Sequence, residues 1–196
     1  GCADARMDEW GYVFASVPGN LSAGDAGGRV PTIGLIAHVD TYFATPGGGV
    51  KPPVLERYAG GDLALPGDPT QVITAADSPN LDRCVGHTLI TCDGTTLLGA
   101  DDKAGAAEIV TLVAWLGRHP EFQHGPVRIA FTTDEEVGRG TEHFDVAAFG
   151  ADYAYTLDGS DLGEIEDETF CADSALVTVE GHDVHPGYAK DKKIFD

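Results

Sequence analysis

Four short motifs that carry carboxylates or an imidazole occur in a fixed order along the chain: His38-Val39-Asp40, Gly99-Ala100-Asp101-Asp102-Lys103, Asp134-Glu135-Glu136 and Leu157-Asp158-Gly159. Imidazole nitrogen and carboxylate oxygen are ligands of hydrolytic metal centres, and a set without thiolate suits zinc, cobalt or manganese. Most of the motifs also have a blander reading. His38 could be a hydrogen-bonded histidine at a strand end. Asp101 and Asp102 could cap a helix and meet its dipole, and the two roles can coexist, one per aspartate. Asp158 before Gly159 could open a turn. Asp134-Glu135-Glu136 is harder to explain that way, because adjacent carboxylates repel unless solvent or cations intervene. The metal reading rests on conjunction: if His38, Asp101, Glu135, Glu136 and Asp158 converge, so many carboxylates around one imidazole require divalent cations. Asp40 shares a strand face with His38 and can accept from one ring nitrogen while the other binds metal; Val39 is expected to turn into the core.

The elements that must position these residues are apolar runs. Strands are expected at 10–17, 32–37, 127–132 and 153–157, and the last three end at the first, third and fourth motifs, as sites do at the carboxyl ends of strands in open α/β sheets. Asp93-Gly94 between 88–92 and 95–98 predicts a hairpin whose second strand delivers Asp101 and Asp102. Residues 104–118 carry apolar side chains at Ala107, Ile109, Val110, Leu112, Val113 and Leu116, the spacing of an amphipathic helix ended by His119-Pro120. A short helix is expected over 142–149 with Thr141 as its cap. The stretch 45–82 is rich in Pro, Gly and Asp and reads as a long surface excursion. Alternating strands are expected at 163–170 and 175–179. Strand, helix and strand in succession place the chain in the α/β class.

The chain has 196 residues, 42% of them hydrophobic, enough for one domain or for one domain and part of another. A net charge of -20 argues against nucleic acid and anionic membrane surfaces as partners, since both need clustered Lys and Arg. The longest apolar run, 109–116, falls well short of the roughly 20 residues of a membrane span. Cys2, Cys84, Cys92 and Cys171 show no CxxC pairing, which favours reduced thiols in a cytoplasmic protein. The chain starts Gly1-Cys2, and the strand expected at 175–179 has no visible partner, so sequence is expected to continue beyond Asp196.

With these motifs in place, the string Leu97-Leu98-Gly99-Ala100-Asp101-Asp102-Lys103-Ala104-Gly105, flanked by His38-Val39-Asp40-Thr41 and Asp134-Glu135-Glu136-Val137-Gly138, resembles the peptidase T family. These are cytosolic bacterial tripeptide aminopeptidases among the co-catalytic zinc exopeptidases. The likeness runs from about Trp10 to Lys190 and includes Tyr58-Ala59-Gly60-Gly61-Asp62, His143-Phe144-Asp145 and Val184-His185-Pro186-Gly187. It implies a mixed sheet flanked by helices, with residues 1–172 as the catalytic domain and 173–196 as the start of a lid and dimerisation domain. It also implies a small peptide substrate, two Zn2+ ions per complete site, and a homodimer formed through the lid. His38 and Asp158 would be terminal ligands of one zinc, Glu136 of the other, and Asp101 would bridge them. Glu135 would be the general acid/base, Asp40 would orient His38, and the Asp101–Asp102 peptide would be cis. The family's last zinc ligand, a histidine far downstream, has no counterpart here. The chain alone is therefore expected to hold one zinc well and the second weakly, with little activity. His185 would be an early lid residue reaching toward substrate, or a turn residue before Pro186. Two alternatives stand beside this reading: a related zinc carboxypeptidase or deacylase, and an inactive, truncated metal-binding module.

Overall fold

Val127–Thr132 is a β-branched and aromatic run buried almost throughout, and it forms the middle of the main sheet. In the computed structural model, which describes residues 2–24, 27–159, 161–168 and 171–181, the elements in chain order are strands β1 (Arg6–Met7), β2 (Val13–Val17), β3 (Ile33–His38), β4 (Val54–Leu55), β5 (Leu63–Leu65), β6 (Asp68–Ile73) and β7 (Leu89–Ile90), helix α1 (Ala100–Arg118), strand β8 (Val127–Thr132), helix α2 (Val146–Phe149) and strand β9 (Tyr153–Thr156). The main sheet has the order β1-β2-β8-β3-β9. β8, β3 and β9 run parallel, and β2 runs antiparallel to β8. The α/β class and the mixed sheet expected from the sequence are both present.

Parallel pairing puts the carboxyl ends of β3, β8 and β9 at one edge. His38 pairs with Thr132, and Ile36 with Thr156. The first, third and fourth motifs therefore emerge side by side. The core beneath them is Ala37, Ile109, Val127 and Ile129, with Leu35, Val113 and Leu157 packed against it. α1 contributes Gly105, Ile109 and Leu116 to the buried face, at helical spacing. Val110 and Leu112, expected on that face, are exposed at 58% and 39%.

Two glycines set how closely the layers approach. A Cβ at Gly105 would lie 1.9 Å from the Leu157 carbonyl oxygen, and one at Gly34 would lie 2.6 Å from Phe149 and 2.9 Å from Ala154. Each glycine lets a neighbouring segment seat directly on the backbone.

Several local expectations are corrected. The Asp93-Gly94 hairpin does not form. The Asp93 carboxylate accepts from the Thr95 N–H and hydroxyl, and its carbonyl accepts from the N–H groups of Gly67 and Asp68. Asp93 is thus engaged with the β5–β6 turn, and β7 pairs with β4 instead. Asp101 and Asp102 consequently begin α1 rather than follow a strand. The strand expected at 10–17 is β2 and starts only at Val13, because the Asp8 carboxylate holds the N–H groups of Trp10 and Tyr12 in a turn. The short helix spans only Val146–Phe149 and is capped by Asp145, which accepts from the Ala148 N–H, so Thr141 is not the cap. The excursion at 45–82 contains β4, the bulged β5–β6 hairpin and a 3-10 turn at Pro79–Cys84. Val39 does not enter the core; it is 41% exposed.

The chain divides into a unit at Gly1–Leu162 and a second at Gly163–Asp196. The described residues of the second unit form neither helix nor strand, so the strands expected at 163–170 and 175–179 are not seen there. Leu176, Val177 and Val179 are exposed at 95%, 78% and 85%, and a strand without a ladder partner leaves its backbone to solvent. His185, Pro186 and residues 190–196 lie outside the described residues. No helix among the described residues is long and apolar enough to cross a membrane.

Candidate metal centre

β3 ends on His38, whose side chain is 2% exposed. Its Nδ1 lies 3.2 Å from the Asp40 carbonyl oxygen and 3.3 Å from Asp40 Oδ1. A proton on Nδ1 therefore has an acceptor, which leaves the Nε2 lone pair facing the other way. On that side stand Asp101 Oδ1 at 2.9 Å, Asp158 Oδ2 at 3.7 Å and Glu135 Oε2 at 3.8 Å. A lone pair and a carboxylate oxygen at 2.9 Å are both acceptors, and they sit stably together only with a proton or a cation between them. Among the described residues, His38, Asp101 and Asp158 form one group whose ligating atoms all lie within 4.8 Å of one another. One imidazole nitrogen with carboxylate oxygens fits a divalent ion of the zinc, cobalt or manganese kind. The Glu135 and Glu136 side chains fall outside that group.

Each side chain is delivered by a definite piece of backbone. Gly99, with φ of +75°, turns the chain into α1. Asp101 and Asp102 both have non-helical dihedrals and are joined by a cis peptide. The two aspartates of this motif face different partners. Asp101 points to His38. Asp102 is buried, with Oδ1 accepting from the Gly105 N–H and Oδ2 from the His38 N–H, each at 3.1 Å. After β8, Asp134 takes a left-handed conformation at φ of +63°, and residues Glu135–Val137 form one 3-10 turn. Asp40 anchors that turn by accepting from the N–H groups of Glu135 at 3.3 Å and Glu136 at 3.1 Å. Nothing in the sequence signals this contact, because the partners are 95 and 96 positions apart.

The electrostatics follow from crowding. Burial alone would lower the His38 imidazole, but its hydrogen bond to Asp101 and the charges of Asp158, Asp40 and Glu135 outweigh it and hold the group above its ordinary 6.5. Burial raises Glu135, and Asp158, Glu136 and Asp40 add to the effect while His38 opposes it. Asp158 is raised by burial, against the pull of His38, and further by Asp101 and Glu136. Asp102 is pushed up to about 6 by burial and by Asp158. Such mutually raised carboxyls mark a place where negative charge is concentrated and uncompensated.

Along 99% of its length the chain is similar to proteins named peptidase T. It is 55% identical over 194 residues to that of Exiguobacterium, and 52% identical to those of Bacillus pumilus and Geobacillus thermodenitrificans. It spans about half the length of these curated relatives, 46% in each case. The crystal structure of the aminopeptidase PepT from Bacillus cereus matches with a TM-score of 0.56 at 26% identity, covering 81% of this chain and 34% of that one. The aminoacylhistidine dipeptidase from Vibrio alginolyticus, with a TM-score of 0.51 at 20% identity over 82% of this chain and 26% of its own, shares the fold. No protein-family model matches the chain. The likeness to peptidase T read from the motifs thus holds along the chain, and the relatives it points to are peptidases.

Proposed function

We propose that this chain carries the metal centre of a peptidase T-like aminopeptidase, which releases the N-terminal residue from tripeptides. The observation that carries the reading is the convergence of Asp101, Asp158 and Glu135 on the buried Nε2 of His38, from three separate parts of the chain. His38, Asp101 and Asp158 would hold one zinc. Asp101 and Glu136 would contribute to a second, completed from sequence outside this chain. Divalent ions held there supply Lewis acidity, which polarises a carbonyl and acidifies water.

Glu135 is the proposed general acid/base. Its carboxylate lies 3.8 Å from His38 Nε2 and is 53% exposed, and its raised proton affinity suits a group that must take a proton and give it back. In the forward direction Glu135 accepts a proton from the attacking water, and it then delivers that proton to the leaving amine. Asp40 orients His38 and anchors the turn that carries Glu135. The same reading assigns residues 1–172 to the catalytic domain and 173–196 to the start of a lid, with a homodimer formed through the lid and a cytosolic setting.

The test is Glu135→Gln in the complete protein. Tripeptide turnover is expected to fall by about 10²–10⁴-fold or more, while zinc affinity, measured by chelator competition, stays near that of the parent. Equal loss of zinc and of turnover would identify Glu135 as a ligand and overturn its role.

A further inference from the structure

The most deeply buried carboxylate of the centre is not one of its proposed ligands. Asp102 is 2% exposed, and no lysine or arginine among the described residues pairs with it. Removing a carboxylate from water beside another acid, Asp158, is costly unless something specific requires it. Capping of α1 does not require it, since serine, threonine or asparagine cap as well as aspartate.

Two backbone donors converging on one side chain do require it. Oδ1 accepts from Gly105 in the first regular turn of α1, and Oδ2 accepts from His38 at the end of β3. Both partners are N–H groups, so both oxygens must accept. A carboxamide would turn its own NH2 toward one of them, and a serine hydroxyl reaches only one. The fit around this junction is tight. A Cβ on Gly105 would come 2.5 Å from Asp102 Oδ1 and 1.9 Å from the carbonyl oxygen of Leu157, the residue before Asp158. Leu157 in turn donates its N–H to Ile36 of β3. The three segments that carry His38, Asp101 and Asp158 therefore meet at the Asp102 carboxylate.

We infer that Asp102 is a positioning residue of the metal centre: its carboxylate ties the backbone of His38 to the start of α1 and so fixes His38 and Asp101 at the separation that shared ligation of one ion needs. This rests on the metal-centre reading given above, and the closing experiment separates the two.

In the zinc-loaded full-length protein, Asp102→Asn and Asp102→Ser are compared with Leu116→Ala, which removes packing from the far end of the same helix. Zinc affinity is read by chelator competition, site geometry by the visible absorption of the Co2+-substituted protein, and stability by thermal unfolding. Both Asp102 variants are expected to bind zinc about 10–100-fold more weakly and to show an altered cobalt spectrum. Leu116→Ala is expected to lower the melting midpoint with affinity and spectrum unchanged. Parental affinity and spectrum in the Asp102 variants would overturn the inference, as would an equal change in Leu116→Ala. Should Asp102→Ser not fold, the isosteric Asp102→Asn carries the comparison. Zinc binding that is indifferent to His38→Ala would sink the metal-centre reading itself, a failure visible before any Asp102 variant is made.

Discussion

Asp40 shows how much a single side chain can do once the fold brings distant donors to it. Its backbone oxygen and its carboxylate both stand at His38 Nδ1, and the carboxylate also holds the N–H groups of Glu135 and Glu136. From the sequence, only the first of these relations was legible, because it depends on a two-residue spacing. The second depends on β3 and β8 lying parallel in register. Asp93 teaches the same lesson in reverse. Beside glycine it signals a hairpin, yet the hydroxyl of Thr95 and the β5–β6 turn claim it. That engagement has a measurable consequence. The Thr95 hydroxyl and N–H hold the 8%-exposed Asp93 carboxyl below its ordinary 3.8. A carboxyl depressed in the folded state contributes stability that is complete above its unfolded value and is lost as pH falls through the folded one. Asp93→Ala should therefore lower the melting midpoint at neutral pH, and the gap between variant and parent should narrow as pH drops below 3.8. A gap that stays constant between neutral pH and about pH 3 would show that the charge of Asp93 contributes nothing.

At the scale of elements, legibility tracked the physics of each segment. The strands 33–38 and 127–132 announced themselves because their apolar runs are largely buried in the sheet; 153–156 did so by its apolar, aromatic composition, although at the sheet edge its side chains are exposed. α1 announced itself from residue 104 onward because its periodicity begins there. Its true start did not, because Gly99 and the non-helical Asp101 and Asp102 carry no periodic signal. The two-residue strands β4 and β7 are too short for any pattern, and they exist through mutual pairing. Helix α1 also offers a paired test of packing against the site. Gly105→Ala would drive a methyl group into the Leu157 carbonyl, a backbone atom that cannot step aside. It is expected to cost about 1–3 kcal/mol, or more, and to weaken zinc binding by displacing Asp158. Gly117, near the other end of the same helix, has nothing within 4 Å of an added Cβ. Gly117→Ala should stabilise the protein by about 0.4–1 kcal/mol, since alanine loses less conformational freedom on folding. Denaturant unfolding of the two variants gives opposite signs if α1 is seated as described. A harmless Gly105→Ala would mean that the helix does not approach Leu157 so closely.

For the whole molecule, the dominant fact is charge. A net charge of -20 spread over 196 residues is a solubility feature wherever it is solvated. At the ends of β3, β8 and β9 it is something else, because Asp101, Asp102, Glu135 and Asp158 are crowded around one imidazole and three of them are raised in proton affinity by burial and by one another. The fold holds these groups together against their repulsion, so an ion that binds only the folded arrangement must stabilise the molecule. The stabilisation follows mass action, reaching about 2.7 kcal/mol when free metal is a hundredfold above its dissociation constant. Chelation is accordingly expected to lower the melting midpoint, added Zn2+ to restore it, and His38→Ala to remove the response altogether. Sodium chloride at the same ionic strength should not substitute for Zn2+, because screening weakens all surface repulsion but Na+ is too weak a Lewis acid to be coordinated by Nε2 of His38. A melting midpoint indifferent to chelator and to Zn2+ would mean that this acidic cluster is balanced by protons alone. The convergence at His38 would then be a structural feature of the sheet edge rather than a metal centre.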